Sequence, residues 1–470
     1  MRMSPIVALA PLFLLVAGTA SAQPPPPKPT APITPAQPLA QPPPPPSALP
    51  ELPKVDVSDP LLAPIPPAAH QLNSFHDALT TIAAQSIDLA IQQQEVERAE
   101  GASREALAAA LTTVNGQASI SQSLLAGANG AARGPTAQIS LTASQPILAP
   151  RAWYGIKTAH LNTKAVQQST DDKRRTILAQ VASSIVAVYT AERVAEINRV
   201  SLKSSLQRQS LAERKSKLGD GTRLDVLRAQ QDTALARGQL IAGDEALLKT
   251  REALGLALGT NDPWGVPATI SLNEMQQALG SSCQTGNVED RPDVASARTT
   301  LEIAQRGITD SKLAFAPTAA VQSSASASAA GATPLGSGNQ TSWTIGAVLN
   351  LPIWEGGARY GGMRIARANA EEAKLRLDAT RRGATIEATQ AQRSVGVAEQ
   401  ARVVSEQNRD LAREAARLAE RAFAAGAGTS FDLVDAGKAE RNAELDLAVK
   451  EFDLIRARIA SLLATANCTY

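Results

Sequence analysis

The chain carries one structural message twice. Gln145-Pro146-Ile147-Leu148 closes an alternating segment and opens a long helix-forming stretch. Leu351-Pro352-Ile353-Trp354 does the same, with the two prolines 206 residues apart. Downstream, Lys173-Arg174-Arg175 has its counterpart in Thr380-Arg381-Arg382, at an offset of 207 residues. Gly219 to Leu227 (GDGTRLDVL) matches Gly426 to Val434 (GAGTSFDLV) at the same 207. An offset this constant over about 80 residues marks a tandem duplication of one unit. Each copy runs helix, weakly polar strand pair, very long helix, turn, return helix. The first copy spans 72–280, with its strand pair at about 113–148 and its tip turn at about 218–225. The second spans 281–470, with the strand pair at about 317–354 and the tip at about 425–435.

The strand-pair regions are nearly free of charge. Residues 107–150 hold one charged side chain, Arg133, and residues 313–354 hold none. Trp343, Ile345, Ala347, Leu349, Leu351 and Ile353 fall on one face. Ser342, Thr344, Gly346 and Asn350 fall on the other, with Val348 the exception. Ile139, Leu141, Ala143 and Ile147 alternate likewise with Gln138, Ser140, Thr142 and Ser144. Segments of about ten residues, apolar outside and polar inside, are the pattern of a membrane β-barrel. The plain alternative is a half-buried antiparallel sheet of a soluble protein, but such a sheet carries Lys and Glu on its wet face.

The helices that follow exceed globular length. Between Gly155 and Leu218 there is neither proline nor glycine, and those roughly 60 residues span on the order of 95 Å. Apolar positions step by threes and fours (Leu178, Val181, Ile185, Val188; Leu411, Ala415, Leu418, Ala422), which gives a seam for neighbouring helices. Lys173, Arg174, Arg175, Arg381 and Arg382 make the other faces wet. A coiled-coil rod would explain the helices but neither the uncharged strands nor the duplication.

The N-terminus reads as a secretory signal peptide over residues 1–22. Arg2 is the positive start, Ile6 to Val16 the apolar stretch, and Ala20-Ser21-Ala22 the cleavage site before Gln23. No cysteine is near to accept a lipid. Residues 23–71 form a Pro-rich extended segment: 19 of the chain's 30 prolines lie between Pro24 and Pro67, and such a stretch acts as a spacer. Folded structure is expected from about Leu72. A net charge of +2 excludes the electrostatic footprint of a nucleic-acid binder. The two cysteines, Cys283 and Cys468, are free to bridge in an exported protein or to stay apart as thiols. No later run of eighteen apolar residues offers a membrane helix, so any crossing must be by a closed barrel. Two strand pairs give four strands, too few to close one. Oligomerisation follows.

Taken in order, these patterns resemble the TolC-like outer-membrane efflux family from about residue 75 to the C-terminus. The resemblance rests on four patterns. Arg291-Pro292-Asp293-Val294, followed by Ala297 and Leu301, resembles the opening of the second repeat in members serving resistance-nodulation-division pumps. Ala316-Pro317 fits the entry to that repeat's first strand. Leu351 to Gly357 (LPIWEGG) fits the strand exit, and Gly426 to Ala436 fits the helix-turn-helix at the periplasmic tip. The resemblance implies a homotrimer, mostly α, whose twelve-stranded barrel in outer-membrane lipid continues into a long α-helical periplasmic tunnel. It also implies a periplasmic adaptor and an inner-membrane pump as partners. A mixed equatorial region would include residues from about Gly259 to Asp290 and the C-terminus, which brings Cys283 and Cys468 together as a disulfide.

The resemblance places carboxylate rings at the periplasmic gate, here Asp432 and Asp435. The plain reading of Asp432 is a first-turn residue complementing the helix dipole. In the first copy Asp225 matches Asp432, but Arg228 stands where the second has Asp435, so the two tips are electrostatically unequal. Arg228 either pairs with a neighbouring carboxylate or is a solvated charge. Gly219, Gly221, Gly426 and Gly428 supply the turns, and Thr222, Thr429 or Ser430 cap the following helices; these tips are where the family meets its adaptor. His70, His76 and His160 lack metal-ligand spacing. Gly356-Gly357 to Gly361-Gly362 lacks the Lys-Ser/Thr of a phosphate loop, and no nucleophile–base set can be assembled. No enzyme activity, metal or cofactor is expected. The function read here is passive export of drugs, small toxic molecules or metal ions through a tripartite pump. The alternatives are a duct for type I protein secretion and, in another class, a periplasmic coiled-coil structural protein.

Overall fold

The computed structural model describes residues 57–122, 135–267, 277–280, 283–330 and 340–468. The signal peptide and most of the Pro-rich segment lie outside them. In chain order the elements are β1 (His70–Gln71), α1 (Phe75–Gln85), α2 (Ile87–Ala108), β2 (Thr113–Ser121), β3 (Thr136–Leu148), α3 (Pro150–Leu218) and α4 (Arg223–Leu258). There follow β4 (Trp264–Gly265), β5 (Cys283–Thr285), α5 (Pro292–Leu313), β6 (Thr318–Ala330), β7 (Gln340–Asn350), α6 (Ala358–Ala424), α7 (Ser430–Leu463) and β8 (Ala466–Cys468).

The two long helices are the axes of the molecule. α3 has 69 residues and α6 has 67, each on the order of 100 Å. Pro150 opens α3 at a position where its missing N–H costs nothing. Each long helix is flanked by two shorter ones placed one beyond the other. Near its start α3 lies against α2, where Thr163 donates to the Ala99 carbonyl (3.2 Å). Further along it lies against α4, where Arg199 pairs with Asp244 at 2.7 Å. α6 is flanked in turn by α5 (Leu377 and Ala384 on Val294) and by α7 (Arg458 on Glu399, 3.0 Å). α4 ends at Gly259 (φ +88), where a Cβ would stand 2.4 Å from the Gln85 carbonyl oxygen. That close approach seats the end of α4 on the junction of α1 and α2.

The main core lies at mid-height of the long helices. Phe75 and Ile82 of α1, Leu178, Val181 and Ile185 of α3, Leu254 and Leu258 of α4, and Phe452, Ile459 and Leu463 of α7 meet there. α3 holds an 18-residue stretch of mean hydropathy 1.2, enough by length and composition to cross a membrane. Its most apolar side chains, Leu178, Val181, Ile185 and Val188, are nevertheless buried in the bundle. Cys283 and Cys468, register partners of β5 and β8, are bonded at 2.08 Å in this core. The bridge joins positions separated by 185 residues, so removing it frees a long loop in the unfolded chain. Replacing both cysteines by Ser is expected to lower stability by about 2–4 kcal/mol, read as a fall in the denaturant midpoint of the purified protein.

Ordered structure begins before the expected Leu72. Asp59 caps a short 3-10 turn (Pro60–Leu62) and pairs with Arg237 of α4 at 2.8 Å. Leu61 and Leu62 pack on Leu202, Ala236 and Leu240. Arg251 donates to the Pro66 carbonyl (2.9 Å), and β1 pairs with β4 in parallel. The end of the Pro-rich segment is thus a strap lying along α4. Proline supplies no donor, but its carbonyl accepts and its fixed φ holds the strap extended.

The strands form one four-stranded antiparallel sheet in the order β2-β3-β6-β7. The sequence showed two pairs; β3 joins them by pairing with β6, from Thr136↔Ala330 to Leu148↔Ala319. β2 and β7 are left as edges. The exposed large residues of the sheet include Val114, Ile120, Ile139, Leu141, Trp343, Ile345 and Leu349.

Candidate functional site at the helical tip

Two hairpins, α3–α4 and α6–α7, end side by side. Their turns are built alike, as the repeated sequence requires. Gly219 (φ +87) and Gly426 (φ +78) take the left-handed conformation that ends each long helix. At Gly221 and Gly428 a Cβ would come within 3.1 and 3.0 Å of backbone nitrogen in the preceding helix. Thr222 and Thr429 then cap α4 and α7, each in a capping box with the aspartate three residues on. Of the two candidate caps in the second turn, Thr429 acts. Ser430 is the first residue of α7 and is buried.

The hairpins are clasped to each other at three points. The Ser430 hydroxyl donates to the Asp225 carboxylate. The Lys215 ammonium donates to the Phe423 carbonyl and stands 4.3 Å from the Phe423 ring centre. Arg228 lies 5.8 Å from the Phe431 ring centre, a cation–π contact. The hydroxyl of Ser430 holds the Asp225 carboxyl below its ordinary value; burial opposes this, and the Thr222 donors and Arg228 assist. Asp225 is therefore a fixed anion between the hairpins. Arg228 is neither freely solvated nor in a close ion pair: it has an aromatic ring as partner.

Further from the turns a buried charge cluster ties three helices together. Asp232 of α4, 1% exposed, accepts from Arg208 of α3 (2.8 Å) and lies 3.9 Å from Arg441 of α7. Burial lowers the Arg441 pKa; the Asp232 carboxylate opposes this and Arg208 adds to it. Arg441 also donates to Ser201 (3.2 Å), and Arg208 fills the space a Cβ would need at Gly437.

Asp432 and Asp435 are both exposed. Asp432 accepts from the Thr429 hydroxyl (2.6 Å) and amide (3.3 Å), and those bonds hold its carboxyl below the ordinary value. It is a capping residue and an anion at once. Asp435 stands one turn on.

Local sequence pattern did not single out Lys215, Phe423, Phe431, Arg208, Asp232 or Arg441. The available signal was the placing of two of the chain's six phenylalanines on either side of one tip turn. Nor did it explain Arg291. This side chain, 4% exposed, forks onto Asp293 (2.8 and 2.9 Å), pairs with Glu387 (2.7 Å) and donates to the Ala464 carbonyl (2.9 Å). Arg175 donates to the neighbouring Leu463 carbonyl (3.3 Å). Two buried guanidiniums thus satisfy the open carbonyl end of α7 beside the disulfide.

Two long helices with four shorter partners, an uncharged sheet at one end and paired tips at the other make up the architecture that the family comparison recognises. The outer membrane efflux protein family matches residues 78–260 and 288–464, and the chain belongs to it. It is accordingly a channel component of the outer membrane and not an enzyme. The chain is 22% identical over 327 residues to the alkaline protease secretion protein AprF of Pseudomonas aeruginosa, covering 68% of this chain and 67% of that one. It is 26% identical over 312 residues to the probable efflux pump outer membrane protein TtgC of Pseudomonas putida, covering 64% and 61%. The chain therefore aligns with somewhat less than two thirds of TtgC. Among solved structures it superposes on the outer membrane protein VceC of Vibrio cholerae with a TM-score of 0.70 and 18% identity, covering 83% of this chain and 95% of that one.

Proposed function

We propose that three copies of this chain form a passive export duct, a twelve-stranded outer-membrane barrel continuous with a helical periplasmic tunnel. The observation that carries this reading is the sheet. It has no ionisable side chain in its strands, an apolar face open to the surroundings, and two unpaired edges, β2 and β7. Open edges are not tolerated in lipid, so β7 of one copy must pair with β2 of the next until the ring closes.

The helices carry matching seams. Exposed apolar residues of α6 recur at Ile365, Leu375, Ile386 and Val397, then at Val404, Leu411 and Leu418. Steps of ten and eleven give way to steps of seven below Val397. A repeat of eleven follows a straight or slightly right-handed path, and a repeat of seven a left-handed coil. α4 presents Leu227, Leu235, Ile241, Leu248 and Leu256 as a second exposed stripe. These stripes fit the neighbouring copies of a closed tunnel.

The gate of this duct is at the tips, with Asp432 and Asp435 facing the axis and the Asp225–Ser430 and Lys215–Phe423 contacts holding the hairpins closed. The tips also meet the periplasmic adaptor, and the adaptor links the duct to an inner-membrane pump of the resistance-nodulation-division type. Similarity to TtgC, named as an efflux pump protein, supports small-molecule efflux. Similarity to AprF, named for alkaline protease secretion, supports a protein-secretion duct as the second reading. In planar bilayers the wild-type protein is expected to conduct and to be blocked by multivalent cations. Replacing Asp432 and Asp435 together by Ala is expected to raise the blocking concentration about tenfold, as loss of a focused negative potential implies. Unchanged block would remove the gate assignment.

A further inference from the structure

Resting on the duct reading, we infer that the strand wall of the outer-membrane section is electrically neutral, so that the described strands add no charge discrimination to that of the periplasmic part of the path. The pairing registers place one set of residues on the polar face across all four strands. β2 gives Thr113, Asn115, Gln117, Ser119 and Ser121, opposite Ser144, Thr142, Ser140, Gln138 and Thr136 of β3. Of these β3 residues, Ser144, Thr142, Ser140 and Gln138 oppose Gln322, Ser324, Ser326 and Ser328 of β6, and the first three of those oppose Gly346, Thr344 and Ser342 of β7. Every side chain on these facing positions is a hydroxyl, an amide or hydrogen; the face continues through Ala320 and Val348, which are apolar, and nowhere along the strands through a charge. Several hydroxyls bond across the strands: Ser121 with Thr136 (2.7 Å), Ser324 with Thr344 (2.7 Å) and Ser326 with Ser342 (2.8 Å). Such a wall hydrogen-bonds water and cargo of either sign. It holds no group that titrates, so its character is the same at any pH the cell meets.

The charges of the tips cannot supply the missing field. α3 runs between sheet and tip with 69 residues, about 100 Å, whereas screening at physiological salt acts over about 8 Å. Whatever preference the tips impose is therefore set before the cargo reaches the barrel. The exit discriminates by size and hydrogen bonding. The cargo class that suits this wall is one of mixed charge, including uncharged and zwitterionic molecules, with neither sign favoured by the strands themselves.

The test measures the field directly. Ser140→Cys, on the polar face of β3, and Ile139→Cys, on its apolar face, are made in the full chain. Intact cells are treated from outside with a cationic and an anionic methanethiosulfonate reagent of similar size. Each rate is divided by that reagent's rate with a free small thiol. At Ser140→Cys the two normalised rates are expected to agree within about twofold, and Ile139→Cys is expected to be protected. A bias of about tenfold or more towards either reagent, the lower bound for a charged cleft, would overturn neutrality and leave the duct standing. Reaction at Ile139→Cys with protection of Ser140→Cys would mean the faces are reversed, and the barrel reading would fall with the inference. Ser326→Cys on β6 repeats the measurement at a neighbouring strand should the first variant fail to reach the membrane.

Discussion

Replacing Arg291 by Ala is expected to cost on the order of 2–3 kcal/mol of stability, less than the range for a fully buried ion pair because its carboxylate partners are partly exposed. Arg291 is held by four oxygen contacts, two to Asp293, one to Glu387 and one to the Ala464 carbonyl. Truncation leaves the Asp293 carboxylate with only the Val294 amide as donor and removes the Arg291 donor from the end of α7, while the half-exposed Glu387 can turn to water. Asp293 lies below the ordinary carboxyl value although burial acts to raise it, because the Arg291 hydrogen bonds and charge outweigh that burial. Its folded-state pKa is below its unfolded one. The pair's contribution is therefore complete above pH of about 4 and is lost as pH falls through the depressed value. Lys at this position restores the charge but not the planar fork, so R291K should recover only part of the loss. The measurement is the amount of assembled protein in the outer membrane and its thermal midpoint after extraction. A midpoint within experimental scatter of wild type would show that the arginine is dispensable.

Asp232→Ala is expected to be more costly, at about 3–5 kcal/mol, and to act at the tip instead of at mid-height. Two guanidiniums, those of Arg208 and Arg441, converge on this one carboxylate. Its removal leaves two like charges facing each other in a buried site. The cheapest relief is separation of α7 from α3 and α4, which loosens the hairpins above the turn. Higher resting conductance in bilayers should accompany the lost stability. A control separates the charge effect from a packing effect. Replacing Asp232, Arg208 and Arg441 together with Leu and Met side chains of similar volume removes the uncompensated charge and should regain most of the stability. If the triple replacement is as unstable as D232A, the cluster matters for shape and not for charge balance.

What could be read from the chain, and what could not, divides by range. The alternation around Trp343 and Ile139 and the repeated GDGT and GAGT turns are local patterns, and local patterns specify period, cap and turn. Thr222 and Thr429 cap where the sequence placed them, and the glycines stand where the backbone demands them. The union of the two strand pairs through β3 and β6 was not legible, because pairing between positions such as Thr136 and Ala330 leaves no local mark. The strap around Pro60 was read as mere spacer. Its docking depends on Arg237 and Arg251, both far along the chain. Arg291 stands in a legible motif, Arg291-Pro292-Asp293-Val294, but its task is set by carbonyls at the far end of α7. Asp435 and Asp432 matched a pattern equally well, yet the structure commits the Asp432 carboxylate to Thr429. Under the proposed duct, the Asp435 carboxylate, one turn on, is the better placed of the two for a ring.

The central claim is that one chain is one third of a closed duct. The most direct measurement is the mass of the detergent-extracted outer-membrane particle, by light scattering with the detergent contribution subtracted. Three chains per particle are predicted, dissociating to one on heating. A particle of a single chain, or recovery of the protein in the soluble periplasmic fraction, would contradict it.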